Sequence, residues 1–383
     1  MLTFFLPLLA SAVLTLLVLK SAGVHSHLST DGDLSGPQKF HARPVPRIGG
    51  VGMYAALWLM VAWAHFRGEA GIARFGTGIL LCGVPAFAFG LIEDLTKRVS
   101  PPVRLLATSV SAALGVAFLS AAITRTDIPG LDLLVSTGLG ALLATIFAVA
   151  GVANAVNIVD GFNGLSTMCV SLMLMAIGYV AYEVHDRELL FWSVAGVGAI
   201  LGFFVWNFPA GLIFLGDGGA YFLGFFLAEL GIVLISRYEQ VSPLFPLMVC
   251  IYPVFETVFS IYRRKFIRSV PPGLPDGIHL HSLIYRRVMR WASGQTDARH
   301  LTRRNSMTAP YLWALCTLSL IPALLFWDSS RMLAACIVLF GFVYVVIYWR
   351  IVRFRTPRWL APHRRRRLFG GRSRRRLTAR PTK

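Results

Sequence analysis

Uninterrupted apolar runs constrain this chain more than any other feature. Stretches of roughly 20 mostly apolar residues match the hydrocarbon core of a bilayer, about 30 Å thick, and they recur from end to end of the 383 residues. Only 14% of residues are charged and 56% are hydrophobic, whereas a soluble domain carries about a quarter charged. The expected fold class is therefore all-α, a polytopic integral membrane helical bundle. Hydropathy predicts about eleven transmembrane helices: Leu2–Leu19, Ile48–Phe66, Phe75–Ile92, Val103–Ile123, Leu133–Val152, Leu165–Tyr182, Leu189–Phe208, Ala220–Ile235, Leu244–Tyr262, Ala309–Trp327 and Met332–Trp349.

The charge distribution orients them. Connections on one side carry only Arg67, Arg74, Arg125, Arg187, Arg237 and Arg331, and the other 31 basic residues lie on the opposite side. By the positive-inside rule the N-terminus is out and the C-terminus cytoplasmic, in the inner membrane. The first span has no basic residue before it and Lys20 after it, so it reads as an uncleaved helix, not a secretory signal. Residues 1–350 form the membrane-embedded domain, and 351–383 read as a disordered basic tail suited to anionic lipids.

The net charge of +19 raises nucleic acid as a partner. Its placement excludes that: 14 of the 37 Lys and Arg lie between Arg350 and Lys383, and ten between Arg263 and Arg304, all flanking spans. The five cysteines, Cys82, Cys169, Cys250, Cys316 and Cys336, sit within apolar blocks without metal-ligand spacing and read as buried small hydrophobes. No internal repeat suggests a two-fold transporter.

The chemistry-bearing residues gather in the cytoplasmic connections. Two of these, Gly151–Leu165 and Pro209–Gly219, hold no Lys or Arg and instead carry Asp160 and Asp217. A bound cation accounts for that, and hard oxygens from Asp217, Asn157 and their neighbours suit Mg²⁺, which bridges carboxylates to substrate phosphates. Taken alone, Asp217 could merely cap the next helix. Glu93 and Asp94 adjoin, so one could keep a raised pKa and act as a base, or both could pair with Lys97 and Arg98. Gly216 and its neighbouring glycines allow the close backbone approach that phosphate cradles need. His279 and His281 lie among Arg263, Arg264, Arg286 and Arg287, a cluster suited to a diphosphate, and zinc is excluded because no Cys joins them. Glu229 and Glu256 fall within spans and could couple transport or pair inside the bundle.

Five stretches, KFHARPVPRIGG (39–50), GLIEDLTKRVSPPVRLL (90–106), NAVNIVDGFNGL (154–165), NFPAGLIFLGDGGAYFLG (207–224) and PDGIHLHSL (275–283), occur in one order on one face. Together they resemble the polyprenyl-phosphate N-acetylhexosamine-1-phosphate transferases, and look closer to the O-antigen and teichoic-acid initiating branch than to the pentapeptide translocase. The resemblance implies that a UDP-N-acetylhexosamine gives its sugar-1-phosphate to undecaprenyl or another polyprenyl phosphate and releases UMP. It implies Mg²⁺, with Mn²⁺ as the alternative ion, and allows a homodimer. Carried over residue by residue, it makes Asp217 and Asn157 the metal ligands. Glu93, Asp94, Asp160, His279 and His281 become the catalytic set. Lys39, Arg104, Asn154, Asn163, Asn207 and Gly216 bind substrate, Asn163 at the uracil end. This chain departs from the family pattern at Glu93, Asn163 and Ser282, where Asp, Asp and His are common, and in the position of Arg104. Two other classes stay open: a secondary transporter using Glu229 and Glu256, and an inactive lipid-binding homologue.

Overall fold

The computed structural model describes residues 1–21, 30–31, 44–267, 269, 277–289 and 298–353. Lys39 and the basic tail beyond residue 353 lie outside them. The regular structure of the described residues is helical apart from one two-residue antiparallel pairing of Thr30–Asp31 with Val45–Pro46. Among the described residues, eight helices are long and apolar enough to cross a membrane, or nine when Ala70–Cys82 and Val84–Thr96, bent by 45° at Gly83, count as one span. Two of the expected spans take a different form. Gly50–Phe66 has 17 residues, and the segment expected at Leu244–Tyr262 is broken at Cys250 into Phe245–Val249 and Ile251–Tyr262. It then runs into a π-helical turn, Arg263–Ile267.

One helix organises the rest. In Gly216–Arg237 every residue from Gly216 to Ile235 is buried, so the helix runs through the middle of the bundle. Without a hydrophobic force between helices in lipid, close association relies on small residues and tight packing. Here a Cβ added at Gly90 would lie 2.6 Å from the Gly218 Cα, and one at Gly224 would lie 2.5 Å from the Ala153 Cα. These two crossings press Val84–Thr96 and Gly138–Val159 against the buried helix near its N-terminal half.

Both ends of that helix are tied. At 22 residues it spans about 33 Å, one membrane thickness. At its C-terminus Arg237 pairs with Asp186 at 2.8 Å and Glu188 at 3.0 Å. At its N-terminus Phe214 donates to the Pro46 carbonyl, and Gly49 and Gly50 donate to those of Phe214 and Leu215. The segment around Arg47 is thereby zipped onto the start of the buried helix.

Helix boundaries differ from the hydropathy reading in one systematic way. Gly138–Val159 runs seven residues past the expected edge, so Asn154 and Asn157 stand on a helix and not in a loop. The buried helix starts four residues early, placing Asp217 in its first turn. Apolar windows see only the part of a helix that faces hydrocarbon, whereas backbone hydrogen bonding carries helices on into polar sequence.

Candidate active site at the start of the buried helix

A cavity of about 390 Å³ opens where the buried helix begins. Glu93, Arg104, Asn157, Asp160, Asn163, Asn207, Gly216, Asp217, His279 and His281 all line it, so four separate sequence motifs converge on one space. Asp94 and Asn154 do not line it. Arg47 and Asn305 do, and neither had been singled out as a site residue.

Asp217 is the hub. Its Oδ1 accepts from the Asn157 amide at 3.1 Å and from Arg47 at 3.3 Å, and its Oδ2 is closed on by Arg104. The carboxylate is largely buried and sits in a helix first turn, where the backbone dipole favours negative charge. Arg104 also lies over the Tyr221 ring, whose hydroxyl reaches Asn154 at 3.5 Å. Gly216, at φ +78°, makes the turn into the helix, and a Cβ there would collide with the Arg47 carbonyl and the Asp94 carboxylate. Glycine is the residue that fits this conformation.

The two adjacent carboxylates divide. Asp94 turns inward, 1% exposed, and accepts the backbone N–H groups of Asp217 and Gly218, each at 2.9 Å. It satisfies helix-terminal donors that would otherwise be orphaned, and does so from another helix. Glu93 faces the cavity, and one of its oxygens accepts the Val99 N–H at 2.7 Å. Residues one apart on a helix point about 100° away from each other, so the pair does not form a dyad. Asp160, at the C-terminal cap of Gly138–Val159, accepts from the Ser166 hydroxyl. Burial pushes its carboxyl up to about 6, against the lowering by Ser166 and Arg47.

The histidines rest on Glu256. His279 Nδ1 lies 2.9 Å from Glu256 Oε1, the same oxygen accepts the Leu280 N–H at 3.1 Å, and the Tyr344 hydroxyl donates to Oε2 at 2.5 Å. Glu256 therefore anchors the histidine loop, which disfavours it as a transport-coupling group. The rings of His279 and His281 stack at 5.1 Å, and His281 meets Phe162 edge-on at 5.4 Å. Glu229 lies apart from the cavity, buried against Gly115, with no hydrogen-bond partner for either oxygen among the described residues.

The amides hold the cavity's other wall. Asn207 accepts the Gly164 N–H at 2.6 Å and donates to the Ile213 carbonyl at 2.7 Å. The Asn163 N–H donates to Asn305 Oδ1 at 2.9 Å, and its amide reaches Ser306 Oγ at 3.2 Å. Arg47 carried a signal in sequence, inside the PRIGG stretch. Asn305, one amide after a run of arginines, carried none.

Asp217 and Asn157 both carry hard oxygens and line the cavity side by side, the Asn157 amide N–H donating to Asp217 Oδ1. Among the described residues no group of three or more His, Cys, Asp or Glu is placed to hold a metal by itself. The donor set fits an ion completed by substrate oxygens, the way Mg²⁺ is bound with one or two protein ligands and phosphates.

Guanidinium groups converging on a carboxylate, at one face of a membrane-spanning bundle, suit the integral-membrane enzymes that transfer phosphorylated sugars. Residues 77–235 match the family model of glycosyl transferase family 4. The chain is similar to the probable undecaprenyl-phosphate N-acetylglucosaminyl 1-phosphate transferase of Bacillus subtilis (strain 168), at 26% identity over 64% of this chain and 66% of the relative. The undecaprenyl-phosphate alpha-N-acetylglucosaminyl 1-phosphate transferase of Thermotoga maritima is 28% identical over 66% of this chain and 72% of its own length. The decaprenyl-phosphate N-acetylglucosaminephosphotransferase of Mycolicibacterium smegmatis is 28% identical over 63% and 65%. The chain thus spans about two thirds of the length of these relatives.

Proposed function

We propose that this protein transfers an N-acetylhexosamine-1-phosphate from a UDP-sugar to a polyprenyl phosphate, releasing UMP, at the cytoplasmic face of the inner membrane. The observation that carries this reading is the Asp217 carboxylate held between Arg47, Arg104 and Asn157 in a cavity at one end of a membrane-length helix. An oxygen of the acceptor phosphate attacks the sugar-bearing phosphorus. The bond to the bridging oxygen breaks, and UMP departs with the electron pair. Such a transfer needs charge neutralisation and alignment more than covalent help from the protein. Arg47 and Arg104 neutralise the diphosphate, and Glu93 faces the side where the acceptor phosphate approaches. His279, braced by Glu256, and His281 hold the donor. Asp217 and Asn157 would hold Mg²⁺, or Mn²⁺ in its place, which when bound screens the diphosphate charge. The names of the relatives favour N-acetylglucosamine as the sugar.

The test is UMP release by purified protein supplied with undecaprenyl phosphate, Mg²⁺ and a panel of UDP-N-acetylhexosamines. Release that requires the lipid, the metal and one donor is expected. A folded protein that releases no UMP with any of these donors would point to an unusual donor sugar or to the inactive lipid-binding homologue.

A further inference from the structure

The last described helix, Ser330–Val352, lies beyond the stretch that the family model matches, yet it reaches the histidine loop. Gly341, Tyr344 and Tyr348 fall at i, i+3 and i+7, so they share one face. A Cβ added at Gly341 would lie 2.9 Å from the Phe255 ring, and its absence lets this face close on Ile251–Tyr262, the helix that carries Glu256. The Tyr344 ring packs edge-on against Phe255 at 5.0 Å and Phe259 at 5.7 Å, and its hydroxyl donates to Glu256 Oε2 at 2.5 Å. One turn on, the Tyr348 hydroxyl and the Arg263 guanidinium both donate to the Ile278 carbonyl, at 3.1 and 2.7 Å.

From this arrangement we infer that Tyr344 is a positioning residue for His279, acting through Glu256. The inference rests on the proposed sugar-phosphate transfer, in which His279 holds the donor. Glu256 Oε1 accepts the Leu280 N–H and meets His279 Nδ1, while Oε2 takes the Tyr344 hydroxyl. A carboxylate that accepts at both oxygens leaves Nδ1 as the donor, and that bond sets the orientation of the imidazole. The last torsion of a glutamate is broad and soft. The Tyr344 hydroxyl, tied to the second oxygen, stops the carboxylate from turning about it. Ser330–Val352 thus controls a cavity-lining imidazole through two hydrogen bonds, although none of its described residues lines that cavity.

Tyr344→Phe keeps the ring on Phe255 and removes only the hydroxyl. Binding of the UDP-N-acetylhexosamine that supports UMP release, UDP-N-acetylglucosamine being tried first, is measured by titration calorimetry on the full-length protein in detergent. Wild type, Tyr344→Phe, His279→Ala and the double variant are compared, and the KM for undecaprenyl phosphate is measured for the first two. Tyr344→Phe is expected to weaken donor binding about tenfold, the size of one hydrogen bond to a charged group, and to leave the KM for undecaprenyl phosphate unchanged. In the His279→Ala background the same substitution is expected to weaken donor binding no further, because the two residues act in series.

Wild-type donor affinity in Tyr344→Phe overturns the inference. So does a full second loss in the His279→Ala background, which would place the hydroxyl's action elsewhere. A KM for undecaprenyl phosphate that rises as much as donor binding weakens, or a Tyr344→Phe protein that aggregates, assigns the hydroxyl to the fold and overturns it too. A wild type that binds the donor and releases UMP while Tyr344→Phe keeps its affinity leaves the proposed reaction standing and removes only Tyr344. A wild type that binds none of the UDP-N-acetylhexosamines overturns both.

Discussion

The Asp94 carboxylate receives the backbone N–H of Asp217 at 2.9 Å, so one carboxylate holds in place the helix turn that presents another. Asp94 is 1% exposed and bonds a second amide, Gly218, as well. Its role is to fix where the buried helix begins, whereas Asp217, like Glu93 and Asp160, meets the cavity.

Substituting the two acidic neighbours should therefore give different defects. Hydrogen bonds to a charged group contribute about 1.5–3 kcal/mol each, and Asp94→Ala leaves two buried amides without an acceptor. A loss of about 3 kcal/mol is expected, seen as a lowered melting temperature in detergent. Glu93→Ala, which removes only the bond from Val99, should melt closer to wild type than Asp94→Ala and lose turnover. Equal melting losses in both variants would contradict the division of roles.

Asp217→Asn should insert and fold yet lose turnover. It keeps a hydrogen-bond acceptor for Asn157 while removing the charge that Arg47 and Arg104 share. Binding of Mn²⁺ in the presence of UMP, followed by the loss of free-ion electron spin resonance signal, should weaken at least tenfold. Near wild-type turnover in this variant would sink the metal assignment.

Gly216→Ala should fail at assembly and not at chemistry. The position has φ +78°, and its Cβ would press on the Arg47 carbonyl and the Asp94 carboxylate. A left-handed alanine costs about 1–2 kcal/mol and overpacking about 1–3 kcal/mol more. Size-exclusion profiles should show aggregated protein; a monodisperse, fully active variant would show that the turn tolerates a side chain.

A pH dependence follows from Asp160, whose folded pKa, raised by burial to about 6, exceeds the ordinary value of about 3.9. The fold binds this proton more tightly than the unfolded chain does. Its contribution to stability is full below the unfolded pKa and is lost as pH rises through about 6. Asp160→Asn cannot ionise, so its melting temperature relative to wild type should climb between pH 4.5 and pH 7.5. A gap that stays constant over that range rules the assignment out.

Much of this protein is legible without coordinates, for reasons that lie in the bilayer. Hydrocarbon demands long apolar helices with satisfied backbones, so the bundle and most of its spans follow from hydropathy alone. The polar residues that hydrocarbon excludes collect at helix ends, which is why Asp160, Asp217, Asn157, His279 and His281 stand out as a group before any distance is known.

What the amino-acid order determined by itself is thus the helical bundle and the set of polar groups at one end of it. The tertiary structure alone decided which of those groups meet. Glu93 and Asp94 are neighbours in sequence, yet helical rotation sends one to the cavity and the other beneath the buried helix. Arg47 reaches Asp217 because its segment hydrogen-bonds to Phe214 and Leu215. Asn305 reaches Asn163 across 142 positions because the Ala298–Ser306 helix lands on that wall. Side-chain direction and long-range packing depend on how helices cross, and no run of residues records that.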